Sequence, residues 1–202
     1  MERGITVRKG RHHMEAALPR LLEGDGVSLS GVLRQLLAQL KLELDDLNQW
    51  VSQVDAALKR IASENGACRR LLAIPRVGSI TATAVIAAIG NGAAFTKGRQ
   101  FAAWLGMVPS ERSTGGKQKL LGISKRGNCY LRRLFVHGAR AVMQQSAKQS
   151  SALRAWLEQL TSRTHPNIVA VALANKLARM TWTVLAKQRE YRPPLLASMA
   201  SN

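Results

Sequence analysis

Hydrophobic residues recur between residues 33 and 61 at alternating intervals of three and four positions, with no miss over four heptads: Leu33, Leu37, Leu40, Leu44, Leu47, Val51, Val54, Leu58 and Ile61. This spacing predicts one long helix with a narrow apolar seam, as in coiled coils. Ser30 is placed to cap its start and Asn65-Gly66 marks its stop, about 50 Å further on. The seam needs a partner helix, from this chain, from a missing part of it or from a second copy. The alternative is a long helix packed on its own domain.

The apolar spacing after Ala67 predicts a basic domain of helices over residues 66–192. The helices are expected at residues 69–74, 80–89, 98–105, 129–145 and 166–187. Residues 106–127 are the one extended, glycine-rich segment. Residues 1–27 are predicted to be a linker with one short helix at 14–23, residues 28–65 the coiled-coil helix, and residues 193–202 a tail. The fold class is therefore expected to be all-α.

The charge of the chain is strongly asymmetric. The sequence has 30 Lys and Arg against 12 Asp and Glu, a net charge of +18. Residues 1–64 hold nine basic and nine acidic residues, whereas residues 65–202 hold 21 basic residues against Glu111, Glu158 and Glu190 alone. The whole excess lies in the C-terminal two thirds, which predicts a polyanionic partner. Because the charge is spread over several segments, nucleic acid is favoured over a membrane surface.

Composition argues against several other classes of protein. No uninterrupted apolar run approaches the roughly 18 residues that would span a bilayer, and no signal sequence opens the chain, so a cytoplasmic protein is expected. Cys68 and Cys129 lack the spacing of a zinc site or a disulfide framework, which predicts two buried free thiols. The histidines have no second ligand nearby in sequence, so no metal site is predicted. The aromatic residues expected in the core are Trp104, Trp156, Trp182 and Tyr130.

A helix, a tight turn and a second helix are predicted at LLAIPRVGSITATAVIAAIG, residues 71–90. This order is typical of helix-hairpin-helix units, whose turn presents backbone N–H groups to a phosphate. Gly78 lies in the turn, and Arg76 stands where such a hairpin usually has its first glycine. An arginine suits a turn that faces phosphate. The alternative is a pair of packed helices without a ligand.

The segment PSERSTGGK, residues 109–117, places the hydroxyls of Ser113 and Thr114 before two glycines. A serine attacks phosphorus only where the developing negative charge is stabilised. Arg112, Lys117 and Lys119 are candidates for that task, and the glycines permit a close approach of the backbone. From the spacing alone, an ordinary turn is the better supported interpretation.

The predicted helix at 129–145 has an apolar face and a separate basic face. Arg126, Arg133, His137 and Arg140 recur at helical spacing, after Lys125 in the sequence ISKRGN. A one-sided basic stripe of this kind predicts a surface that follows a nucleic-acid backbone. The alternative is a solvated helix face.

Three segments in order resemble one known family: LLAIPRVGSITATAVIAAIG, FAAWLGMVPSERSTGGKQKLLGISKRGNCYLRRLFVHGARAV and VAVALANKLARMTWTVLA. Together they resemble the C-terminal transposase domain of the bacterial insertion-sequence family numbered 110, in its 1111 subgroup. The resemblance runs from about residue 67 to residue 193. Upstream, RKGRHH and the leucine-rich helix resemble the segment that links this domain to an N-terminal, resolvase-like nuclease domain.

The resemblance implies an enzyme of DNA transposition and recombination. In this family a serine of the C-terminal domain attacks DNA, and the resemblance assigns that serine to Ser113, with Thr114 as the neighbour that a one-residue shift would select. Four carboxylates of the N-terminal domain bind divalent metal, expected to be Mg²⁺. The expected partners are DNA, a bridge (guide) RNA that pairs with donor and target DNA, and further copies joined through the coiled coil. No membrane partner is expected.

The acidic residues of 1–64 follow heptad surface positions and not a metal-site pattern. The nuclease-like domain is therefore expected to be missing from this sequence, together with its metal and with the proton acceptor for Ser113. One rival hypothesis is a non-catalytic nucleic-acid-binding and dimerisation module derived from a transposase. Another is an RNA chaperone or ribosome-associated protein.

Overall fold

The computed structural model describes residues 6–24 and 29–193, which divide into two compact units, Met1–Ala56 and Ala57–Asn202. Parts of the predicted linker, residues 1–5 and 25–27, lie outside the described residues, as do Ser28 and tail residues 194–202. The described chain is mostly helical, as predicted, and contains one two-stranded hairpin.

The first unit contains helix α1, Arg11–Glu23, and the start of helix α2, Gly31–Glu64. The hydroxyl of Ser30 accepts the N–H of Leu33 at 3.4 Å, as expected of a cap. Asn48 of α2 donates to the carboxylate of Glu15 on α1 at 3.0 Å, and Arg11 donates to the same oxygen at 2.8 Å. The hydrogen bond from Arg11 and, to a lesser extent, that from Asn48 lower the pKa of Glu15 below its usual value. They hold α1 against the middle of α2.

The apolar seam of α2 is largely uncovered within the first unit. Four seam residues are between 53% and 59% exposed: Leu40, Leu47, Val51 and Val54. The helix ends at Glu64 because Asn65 caps the next helix, its side chain accepting the N–H groups of Ala67 and Cys68 at 2.9 and 3.0 Å. The predicted stop of the long helix is therefore confirmed.

The second unit builds a helical core around the final helix. Its elements after α2 are α3 (Gly66–Leu72), α4 (Ser79–Ile89), α5 (Gly98–Trp104), β1 (Pro109–Glu111), β2 (Leu120–Ile123), α6 (Cys129–Gln144), a 3-10 turn (Ser146–Lys148), α7 (Ser151–Thr161) and α8 (Pro166–Ala186). Helix α7 was not predicted. Helix α8 packs against α3, α5, α6 and α7, and ten of its 21 residues are buried. Phe101 and Phe135 meet edge to face, with ring centroids 6.2 Å apart.

Among the described residues, α8 is the one helix long and apolar enough to cross a membrane by length and composition. Of its 18-residue apolar stretch, 56% is buried inside the second unit. The apolar character of α8 is thus accounted for by its place in the core.

Some predicted core residues lie at the surface. Cys68 is buried as predicted, and burial raises the pKa of its thiol, but Cys129 at the first position of α6 is exposed. Trp182 is buried, with its indole N–H donating to the carbonyl of Gly92 at 3.1 Å. Tyr130 and Trp104 are 51% and 37% exposed, so the prediction for these two residues was wrong. Both stand where α5 and α6 meet the hairpin, at the edge of the core.

Candidate nucleic-acid interface

The extended segment predicted at 106–127 forms an antiparallel hairpin. Strand β1 pairs with β2 in the register Pro109 to Ile123 and Glu111 to Leu120. The N–H of Lys117 donates to the carbonyl of Thr114 at 3.1 Å and closes the tip. The two residues between them, Gly115 and Gly116, have φ values of 58° and 76°. Two consecutive left-handed residues are what a two-residue hairpin turn requires, and this explains the glycine pair.

The base of the hairpin is fixed by two close backbone crossings. Gly106 and Gly127 have φ values of 70° and 104°. A Cβ on Gly106 would lie 2.0 Å from the carbonyl oxygen of Arg126, and one on Gly127 would lie 1.9 Å from that of Trp104. The N–H of Lys125 donates to the carbonyl of Gly106 at 3.1 Å. The hairpin is therefore attached tightly to the end of α5 and the start of α6.

The tip of the hairpin carries the candidate nucleophile. Residues 111–119 are all exposed. The hydroxyl of Ser113 donates a hydrogen bond to the carboxylate of Glu111 and accepts one from the N–H of Lys119 at 3.3 Å. Glu111 and Ser113 are two residues apart in an extended chain, so their side chains lie on the same side. Glu111 thus places a hydrogen-bond acceptor beside the Ser113 hydroxyl within this chain, whereas the sequence predicted the proton acceptor only in another domain.

The cations around Ser113 divide into two sets. Arg112, Lys117 and Lys119 are exposed on the hairpin itself. The structure also brings Arg126 to the hairpin, where it lines an open cavity of about 450 Å³ with Ser110, Glu111, Arg112, Leu121 and Ser124. Arg112 and Arg126 thus line the same concave surface, although they are 14 positions apart in the sequence. Lys125, whose φ is 55°, directly precedes Arg126.

The predicted basic stripe is present on α6. Arg133, His137 and Arg140 are exposed and follow each other at intervals of four and three, on one face of the helix. Arg133 makes a weak contact with the carbonyl of Cys129, at 3.4 Å, and Arg140 one with the side chain of Asn167, also at 3.4 Å. Neither arginine has a carboxylate partner among the residues the structure describes.

The turn between α3 and α4 has a different arrangement from the one expected. Arg76 is left-handed, with φ 58°, as the glycine of a helix-hairpin-helix turn would be. Its guanidinium donates to the side chain of Gln145, and its backbone packs on Gly138 of α6, so the arginine is held by the protein. Gly78 precedes α4, and no side chain caps that helix start. The N–H groups of the first turn of α4 therefore remain open to an anion.

Metal-binding side chains are not grouped in the described part of the chain. No set of three or more His, Cys, Asp or Glu residues there is placed to hold a metal ion. The divalent metal that the resemblance implies belongs to the N-terminal domain, and the described residues offer no comparable ligand set.

Part of the second unit is similar to a known protein family. Residues 68–155 match the profile described as Transposase IS116/IS110/IS902 family. The matched segment contains the turn after α3, the whole hairpin and the basic stripe of α6.

Similarity to individual relatives extends over nearly the whole chain. It is 42% identical over 189 residues to a Pseudomonas aeruginosa protein named "Probable family 20 transposase", with 94% of this chain and 56% of that protein covered. It is 38% identical to the "Transposase for insertion sequence element IS1111A" of Coxiella burnetii (95% and 52% covered). It is 40% identical to the "Transposase for insertion sequence element IS1328" of Yersinia enterocolitica (91% and 52% covered). The chain spans about half the length of these relatives.

Proposed function

We propose that this chain is the DNA-binding part of an insertion-sequence transposase and that Ser113 is the nucleophile of DNA strand cleavage and exchange. The observation that carries the proposal is the Ser113–Glu111 hydrogen bond at the tip of a rigidly based, cation-bearing hairpin. This hairpin lies inside the segment that matches a transposase family. The resemblance to insertion-sequence family 110 also implies a bridge RNA that guides the reaction and a protein that acts as an oligomer, and we propose both for this protein.

The proposed step is a transesterification at a DNA phosphodiester. The Oγ of Ser113 attacks the phosphorus of a DNA phosphodiester and forms a new O–P bond, while its proton passes to the carboxylate of Glu111. The bond from phosphorus to the departing DNA oxygen breaks, and that oxygen takes a proton from solvent. Arg112, Lys117 and Lys119 stabilise the negative charge that develops on the phosphoryl oxygens.

Binding of the DNA duplex is assigned to the phosphate-facing cations of the second unit. Arg126 at the hairpin base and Arg133 and Arg140 on α6 have no carboxylate partners among the described residues, so their charges are available to phosphates. Lys125, and Arg76 and Gly78 at the α3–α4 turn, are proposed as further phosphate contacts, Arg76 through the guanidinium nitrogens that do not donate to Gln145. Contacts of this kind position DNA without reading its sequence.

The salt dependence of duplex binding tests this assignment. If about six cations meet phosphates, log Kd plotted against log salt concentration has a slope of magnitude about 5. The double substitution Arg133→Ala with Arg140→Ala should reduce that magnitude by about two, equally for unrelated sequences. The matched control is Arg154→Ala with Arg163→Ala, which removes two exposed arginines of the same unit and should leave the slope nearly unchanged. Equal slopes for the two double variants would refute the assignment.

A further inference from the structure

A second basic surface lies along α8, away from every residue assigned above. It is an open groove of about 1530 Å³ in the second unit. One wall is a face of α8 and the residue that caps its end, where Lys176, Arg179, Thr183 and Lys187 follow at intervals of three and four. The groove is larger than the roughly 300–1,000 Å³ typical of small-molecule pockets.

The other walls add cations from distant parts of the sequence. Lys97 and Arg99 come from the start of α5, and Arg189 and Arg192 from the segment after α8. With the three cations of the first wall they make seven basic residues against a single acidic one, Glu190. No carboxylate oxygen lies within 4.0 Å of any of the seven among the residues that the structure describes. The fold thus brings these positive charges together without pairing them with carboxylates of the described residues.

One of these cations, Lys176, packs against an aromatic ring. The ammonium of Lys176 lies 4.3 Å from the centroid of the Trp156 ring, a cation–π contact that fixes its direction. Burial, and then the nearby charge of Arg179, lower the pKa of Lys176 below its usual value. An anion in the groove would oppose this lowering of the pKa, because a nearby negative charge favours the charged form of the lysine.

One residue of the groove contacts the segment that precedes the hairpin. Asn175 lines the groove, and its side-chain amide donates to the carbonyl of Met107 at 3.0 Å, two residues before β1. Thr96 and Thr183 supply neutral hydroxyls of the kind that contact phosphate and sugar oxygens. The Asn175 contact therefore ties one wall of the groove to the segment that leads into the hairpin.

We propose that this groove is a second nucleic-acid site, which binds the phosphodiester backbone of a DNA or RNA strand through the cations of α5, α8 and residues 189–192. It rests on the proposed nucleic-acid function but not on chemistry at Ser113. The volume of the groove, its seven cations without a carboxylate partner and the hydroxyls of Thr96 and Thr183 favour a nucleic-acid strand over a small anion.

The test removes three positive charges of the groove by substitutions that do not alter the Lys176–Trp156 contact. The variant Arg179→Gln, Lys187→Gln, Arg192→Gln is compared with Arg69→Gln, Arg154→Gln, Arg163→Gln, a matched set of exposed arginines elsewhere in the same unit. Fluorescence anisotropy measures binding of a 20-nucleotide single-stranded DNA, the same sequence as RNA, and its DNA duplex, each at several salt concentrations. Circular dichroism verifies that both variants are folded.

The groove variant should lose at least about tenfold in affinity at 0.1 M salt for one or more probes, and its salt slope should fall by about two units or more. The probe with the largest loss identifies which kind of strand occupies the groove. Affinities and slopes equal to those of the control set on all three probes would overturn the proposal. Failure of the Arg133 and Arg140 test with a positive result here would instead reject the duplex surface on α6 and retain the groove.

Discussion

The side chains of Glu111 and Ser113 are joined by a hydrogen bond on the exposed arm of the hairpin, with the serine hydroxyl as donor and the carboxylate as acceptor. Of the three acidic residues after residue 64, one is thus placed against the candidate nucleophile. Glu158 lies 3.9 Å from Arg154 on α7 instead. Since Ser113 also accepts the N–H of Lys119, its oxygen is held in one position on the hairpin.

Replacing Glu111 by Gln should slow strand cleavage and leave binding intact. Loss of a general base typically reduces a rate by about 10²–10⁴-fold, and we expect a loss in this range in single-turnover cleavage by the assembled transposase. DNA affinity should stay equal or rise slightly, because one negative charge is removed. Glu158→Gln is the matched control and should cleave at the wild-type rate. Equal cleavage rates for the two variants would exclude Glu111 as the proton acceptor.

Replacing Gly106 by Ala should destabilise the second unit more than replacing Gly115. Both residues are left-handed, which costs alanine about 1–2 kcal/mol at either position. Only at Gly106 does the new Cβ meet backbone, 2.0 Å from the carbonyl oxygen of Arg126, whereas nothing lies within 4 Å at Gly115. The clash should add about 1–3 kcal/mol. Thermal unfolding followed by circular dichroism measures the difference, and equal midpoints would contradict the described hairpin base.

The exposed seam of α2 predicts self-association. Substituting Leu44→Glu together with Leu47→Glu should abolish it, because burying carboxylates in an apolar interface costs several kcal/mol. The control Gln49→Glu with Gln53→Glu adds the same charge on the opposite face of the helix and should keep the wild-type mass. Light scattering gives the mass directly. The hypothesis fails if the leucine double variant and the wild type have the same mass.

The sequence predicted the long or strongly capped helices well. The heptads and Asn65 define α2, and the spacing of apolar residues defines α4, α6 and α8 to within one residue at most boundaries. Helix α7 was not predicted, although Leu153, Leu157 and Leu160 have helical spacing. It is eleven residues long, and the side chain of Ser150 makes no capping hydrogen bond, so its stability comes from packing on α8.

The site was only partly predictable, because its decisive contacts are not local. The hydroxyls, glycines and cations of residues 109–119 are visible in the sequence, and the two-residue spacing of Glu111 and Ser113 was an available signal. The close crossing of Gly106 with Arg126 depends on strand register, which a short segment does not encode. The cations of the groove come from three separate segments of the sequence. The helical spacing of Lys176, Arg179 and Lys187, along and just after α8, was the one local signal of a basic surface there.

The most direct measurement of the central claim is covalent trapping of DNA on Ser113. The chain is assayed with a resolvase-like domain of the family and a guide RNA, and any protein–DNA adduct is isolated under denaturing conditions and located by mass spectrometry. We expect an adduct on Ser113 that disappears in Ser113→Ala while duplex binding persists, and that remains in Thr114→Ala. The 202 residues should not form it by themselves, because Glu111 can replace only the proton acceptor and not the metal-binding carboxylates that the resemblance assigns to the resolvase-like domain. An undiminished adduct in Ser113→Ala, or one lost only in Thr114→Ala, would contradict Ser113 as the nucleophile.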